Sequence, residues 1–327
     1  MRARLVLVVL LSLVLIVAGP WSARAESPTA AVAASAAFPF AATAVNFSPL
    51  FAPDLAGIVP WISNPLLLGT HVPMYWLDAR RAGWYTAGGL ALPAAGVSLM
   101  LAAPEGSVAG EWAPTLLSSY SNLMLYSAYD ISVRTDRSSG AQPTRPEEGT
   151  IGRLAAAPFS SAIADPVVWV PSLIGAAAFT GWHIAFERDE AVGVYESGDA
   201  YIGSNRVSPV AGGAYHLAKS GVDMLPIAIG EEAFYRGVVY ERTLRAHGRS
   251  AARLLDAVLF PLVHLPNDVQ RGFKPPTVAF NFAWRSEMTL AFDAAYDRGG
   301  LPLSVALHYW SNLLLAMSRW WFYGGSL

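Results

Sequence analysis

Three short stretches in the last third of the chain set polar side chains inside apolar sequence. The first, Pro226-Ile-Ala-Ile-Gly-Glu231-Glu232-Ala-Phe-Tyr-Arg236, places two adjacent carboxylates just ahead of a guanidinium. Residues four apart share a helix face, so Glu232 and Arg236 can pair and neutralise each other. Glu231 is turned about 100° away around the helix. Its own neighbour four residues on is Tyr235, which cannot neutralise it, so this acid is left free for proton transfer. The second stretch, Asp256-Ala-Val-Leu-Phe260-Pro-Leu-Val-His264, brings an imidazole one turn after a phenylalanine, with Pro261 expected to kink or widen the helix. The third, Leu307-His308-Tyr-Trp-Ser-Asn312, aims an imidazole and a carboxamide from one face, a combination that suits a developing oxyanion.

Each stretch also has a plainer reading. Glu231-Glu232 can be the solvated end of an amphipathic helix, His264 a structural group at a helix end, and His308 with Asn312 a hydrogen-bonded link between helices. Together they supply a carboxylate base, two histidines and an amide donor, a set able to activate water and stabilise a tetrahedral intermediate in peptide hydrolysis. His71, His183, His216 and His247 lie outside this set.

The elements that must position these groups are apolar. Of 327 residues, 54% are hydrophobic and only 14% are charged, against about 25% charged in ordinary soluble domains. So few charges cannot cover a water-facing globule of this size, which points to an integral membrane protein. The net charge of -2 presents no basic surface for nucleic acid. There is no cysteine, which removes disulfides, thiolate metal sites and thiol nucleophiles.

Apolar runs give about eight candidate crossings, at 55–77, 83–103, 111–132, 166–186, 208–240, 254–265, 277–296 and 302–322. Ahead of them, residues 1–25 read as a signal peptide: Arg2 and Arg4, then an apolar run broken by Ser12, then Ala23-Arg24-Ala25. Residues 26–53 form an Ala/Pro-rich linker without helical period. The loops 134–153 and 241–253 carry four arginines each, whereas 187–199 is acidic, so basic and acidic loops alternate as the positive-inside rule requires. The expected architecture is an all-α, polytopic membrane helix bundle, with N-terminal membrane helices over 54–204 and a catalytic region over 205–327.

The order Glu231-Glu232-x-x-x-Arg236, Phe260-x-x-x-His264, His308-x-x-x-Asn312 resembles the CAAX protease and bacteriocin-processing (CPBP) family of intramembrane proteases. That group includes the type II CAAX prenyl endopeptidase. The flanking Phe234-Tyr-Arg-Gly237 and Tyr296-Asp-Arg-Gly-Gly-Leu301 are similar to family neighbours, and the resemblance extends over about residues 205–325. It implies that Glu231 and His264 activate the attacking water, that His308 and Asn312 stabilise the oxyanion, and that Glu232 and Arg236 support the first acid. Family members are described both as metalloproteases and as metal-independent glutamate proteases. With no compact metal-ligand spacing here, the expectation is that no metal is obligatory, a divalent ion such as zinc being the alternative.

The implied partners are a peptide or protein substrate in or near the membrane and the lipid bilayer, with no nucleic acid. The signal points to a bacterial inner membrane, where an unmodified peptide, a leader sequence or a membrane protein is a more natural substrate than a prenylated one. Two further readings stay open: a catalytically silent scaffold or immunity factor, and a proton-coupled transporter using Glu231, although no internal repeat is visible.

Overall fold

The computed structural model describes residues 150–187 and 198–323, together with single positions upstream. The expected signal peptide and the spans at 55–77 and 83–103 lie outside the described residues. Of the linker at 26–53 and the span at 111–132, only single positions are described, and all of these are helical.

The described chain is helical apart from one small hairpin. Helix α1 (Ile151–Ala156) leads through two 3-10 turns, Ala157–Phe159 and Ser161–Ala164, into α2 (Pro166–Phe186). Strands β1 (Ala200–Ile202) and β2 (Asn205–Val207) pair antiparallel, with Tyr201 opposite Arg206. Helix α3 (Pro209–Phe234) follows and passes without a break into a π-helical turn, Tyr235–Tyr240. Then come α4 (Glu241–His247), α5 (Arg249–Gln270) and α6 (Pro275–Tyr323). The starts of α2 and α3 follow local chemistry. Asp165 accepts from the Val167 N–H at 3.0 Å and Ser208 from that of Ala211 at 3.2 Å, each just ahead of a proline that lacks the orphan donor of a first turn.

Helix α2 has the span expected from its apolar run, and among the described residues it is the one helix long and apolar enough by composition to cross a membrane. At 26 residues α3 reaches about 39 Å, more than the hydrocarbon thickness of a bilayer. Its composition is diluted by Lys219, Asp223, Glu231 and Glu232, all turned wholly or largely inward. The expected short span 254–265 is part of the longer α5, which continues through both Pro261 and Pro266.

Helix α6 is a hairpin of two arms. Gly300 sits at φ 69°, ψ -166°, a backbone state that a side chain would not tolerate, and Pro302 starts the second arm. Phe292 and His308 stand eight residues either side of this corner, yet their rings stack with centroids 4.7 Å apart. Along a straight helix those residues would be about 24 Å apart, so the arms fold back on each other.

The bundle therefore has two distinct ends. At one, Arg298 pairs with Asp165 at 2.9 Å, Arg253 with Asp297 at 2.9 Å, and the Tyr296 hydroxyl donates to Glu241 at 3.0 Å. At the other, Lys274 donates to the Phe186 carbonyl at 3.3 Å, and the start of α3 lies on β1 and Trp320. The buried core between them joins α2, α3, the π turn, α5 and both arms of α6.

Candidate active site

Glu232 is fully buried and accepts from three groups. Its Oε1 receives Arg236 Nη1 at 3.1 Å, one turn along the same helix, and His308 Nδ1 at 2.6 Å from the second arm of α6. Its Oε2 receives the hydroxyl of Ser304, which stands one turn before His308 on the same face. Three donors on one carboxylate leave it little capacity for further chemistry, and they lock the His308 ring in place.

Glu231, on the adjacent face of α3, keeps 18% of its side-chain surface accessible, and its Oε2 lies 3.5 Å from His308 Nε2. His308 is thus bracketed by the two carboxylates, one on each ring nitrogen. Because Nδ1–H is given to Glu232, Nε2 is the nitrogen available to a third group.

His264 Nδ1 donates to the Phe260 carbonyl at 2.8 Å, so Nε2 of this imidazole carries the lone pair. Glu231, His264, His308 and Asn312 all line one cavity of about 240 Å³. The four side chains picked out by spacing come from three helices and meet around a shared space. The geometry sets Glu231 against His308, whereas the family resemblance paired it with His264.

Below the cavity, Phe260 and Phe292 form a floor. The His308 ring stacks on Phe292 and meets Phe260 edge-on at 5.9 Å, while the Arg236 guanidinium sits 5.3 Å from the Phe260 ring and 5.0 Å from that of Phe292. Beyond it, Arg236 Nε lies 3.3 Å from Asp293 and 3.4 Å from Asp256, all fully buried. Arg236 thereby ties α3, α5 and the first arm of α6 to one another, and it holds Glu232 at its other side.

Several lining groups were not singled out by the sequence. Asp268 stands one turn after His264 and receives both Nη1 and Nη2 of Arg285, at 2.5 and 2.9 Å. Arg271 and Arg319 line the cavity with them. The spacing His264-x-x-x-Asp268 was a legible signal. Ser304, four residues before His308, was another. Gly230 explains itself only in three dimensions: a Cβ there would stand 2.3 Å from the Asn122 carbonyl oxygen, so the backbone just ahead of Glu231 is pressed against that residue.

Among the described residues no three His, Asp or Glu side chains gather as a metal site would require. Glu232 is occupied by its three donors, whereas Glu231 and the Nε2 atoms of His264 and His308 border the cavity. His183, which had no expected role, contacts Asn281 at 3.1 Å and stacks on Phe179 with ring centroids 4.1 Å apart.

Residues 215–314 match the family described as type II CAAX prenyl endopeptidase Rce1-like. The matched stretch contains all three motifs, from before Glu231 to beyond Asn312. No curated protein and no solved structure gives a significant match.

Proposed function

We propose, from the match of residues 215–314 to the Rce1-like family, that this chain is an endopeptidase of the membrane, hydrolysing a peptide bond of a membrane-associated peptide or protein inside the cavity between α3, α5 and α6. The observation that carries the reading is the line Glu232–His308–Glu231, with one carboxylate saturated and the other open to the cavity.

In this mechanism Glu231 takes a proton from a water molecule as its oxygen attacks the scissile carbonyl. The new oxyanion accepts from the Nε2–H of His308, whose ring carries a proton on each nitrogen in this mechanism, and from the side-chain amide of Asn312. Glu232, fixed by Arg236 and Ser304, orients His308 through Nδ1 and balances its charge. The C–N bond then breaks, and the proton held by Glu231 passes to the leaving amine, with His264 Nε2 as the second proton carrier. Atoms and charge balance with water as the sole co-reactant, and no step requires a metal.

A silent scaffold would also use the Arg236 network to hold helices together. It has no need of an accessible carboxylate 3.5 Å from an imidazole, and this favours the enzyme. The test is to purify the full chain in lipid nanodiscs and follow a peptide library by mass spectrometry. Hydrolysis that stops in Glu231→Gln and in His308→Ala supports the reading. Hydrolysis persisting in both, or none by the native chain, overturns it.

A further inference from the structure

Around Arg236 the hydrogen bonding does not close. Its Nε gives its hydrogen to Asp293 Oδ1 at 3.3 Å, Nη1 serves Glu232, and Nη2 serves the Thr289 carbonyl at 3.4 Å. Asp256 Oδ2 stands 3.4 Å from the same Nε, whose single hydrogen is already taken. Among the described residues no N–H or O–H of the chain reaches either oxygen of Asp256, or Oδ2 of Asp293. Both side chains are fully buried, and neither lines the cavity.

The groups that face these two acids come from four segments. Glu232 comes from α3, Arg236 and the hydroxyls of Tyr235 and Tyr240 from the π turn, Asp256 from α5 and Asp293 from the first arm of α6. Tyr240 gives its hydroxyl to Asp297. Three carboxyls therefore meet one guanidinium, and Glu232 has His308 and Ser304 as further donors. A carboxylate at Asp256 would be an ion buried without a donor, which protein interiors do not sustain. The Asp256 and Asp293 carboxyls are in hydrogen-bond contact with each other, and two carboxylates that close do not both stay charged. One proton between them gives Asp256 an O–H of its own and gives Asp293 a second donor to accept from.

We propose that Asp256 and Asp293 share a single proton and are positioning residues of the site: they fix the Nε edge of Arg236, whose Nη1 fixes Glu232 and, through it, the ring of His308. The shared proton follows from the donor geometry alone, whereas its service to catalysis rests on the peptidase reading. With one proton in the pair, Arg236, Glu232, Asp256 and Asp293 carry one negative charge in total. That is the complement of a His308 ring protonated on both nitrogens. A second proton would erase this charge, and loss of the first would double it.

The experiment uses the full chain made with isotope-labelled aspartate carboxyls, in lipid nanodiscs at neutral pH, read by infrared difference spectroscopy. The label separates aspartyl signals from those of Glu231. Asp256→Asn and Asp293→Asn should each remove the C=O band of one protonated acid, because the amide takes over the donation and the acid left behind is ionised. The double substitution should remove no more than either single one. Loss in neither variant, or in one alone, overturns the proposal; an ionised pair solvated by a trapped water gives the first result. A double variant that loses twice as much also overturns it, since that means two protons. Asp256→Ser with Asp293→Asn stands in should the double asparagine variant fail to assemble. Peptide turnover is scored separately. Each single variant should keep the native kcat, its amide replacing the shared proton. The double variant, with no counter-charge at the Nε edge, should lose about tenfold or more in kcat at unchanged KM, as when an oxyanion donor is loosened. Equal losses in single and double variants overturn the positioning role. A native chain that cleaves nothing removes the peptidase reading, while the spectra still decide the shared proton.

Discussion

Glu231 and His308 lie 3.5 Å apart, Oε2 to Nε2, although 76 residues of sequence separate Glu232 from the same ring, which it holds at 2.6 Å. The two neighbouring acids of one helix therefore meet opposite nitrogens of one imidazole. Glu231 alone retains access to the cavity, and the two carboxylates should respond differently to the same substitution.

Replacing Glu231 by Gln removes the proton acceptor and keeps the shape. Turnover should fall by about 10²–10⁴-fold, while the thermal unfolding midpoint in detergent stays within a few degrees of the native chain. A variant that keeps its turnover would mean another group activates the water.

Arg236→Met should act on folding first. It strips the shared partner from Glu232, Asp256 and Asp293, all fully buried. Removing one member of a buried ion pair costs about 3–5 kcal/mol, so denaturant unfolding should shift strongly. Arg236→Lys should recover a part of that loss, because a single ammonium cannot serve the same fork of acceptors.

Gly230→Ala tests the contact behind the site. The added methyl would stand 2.3 Å from the Asn122 carbonyl oxygen, backbone that cannot swing aside. Overpacking of this kind costs about 1–3 kcal/mol. Because the strain falls on the residue before Glu231, peptide turnover should also drop. Gly181→Ala, where a Cβ meets nothing within 4 Å, should leave both unchanged.

Metal chelation should have no effect. Purified chain treated with a strong chelator and passed through a desalting column should hydrolyse peptide at its original rate. Loss of activity, restored by zinc, would point to Glu231 and the Nε2 atoms of His264 and His308 as metal ligands and overturn the metal-free mechanism.

Much of the arrangement was legible because membrane-type helices write their contacts at intervals of four. The pairs Glu232/Arg236 and His308/Asn312 could be put on one face without coordinates, and the span of α2 follows from its uncharged run. The length of α5 was obscured by Pro261 and Pro266, which suggest a short broken segment, whereas the helix runs through both. The partner of His308 was hidden for a different reason. It depends on the reversal at Gly300, which brings the two arms of α6 together and turns the imidazole on to α3. Arg271 and Arg319 were passed over because charges near helix ends usually meet water. Their seven-residue offsets from His264 and Asn312 acquire meaning only once those two groups are known to border one cavity.

The paired phenylalanines beneath His308 also close off the inner side of the cavity. Phe260 and Phe292 are almost inaccessible, and their rings lie against both the imidazole and the Arg236 guanidinium. Among the described residues Arg271 is the one exposed member of the cavity lining, so its side is where solvent and a peptide meet the passage to Glu231. A nucleophilic water would have to be in place before the peptide fills that passage, and the order of arrival, water first, becomes a property of the architecture.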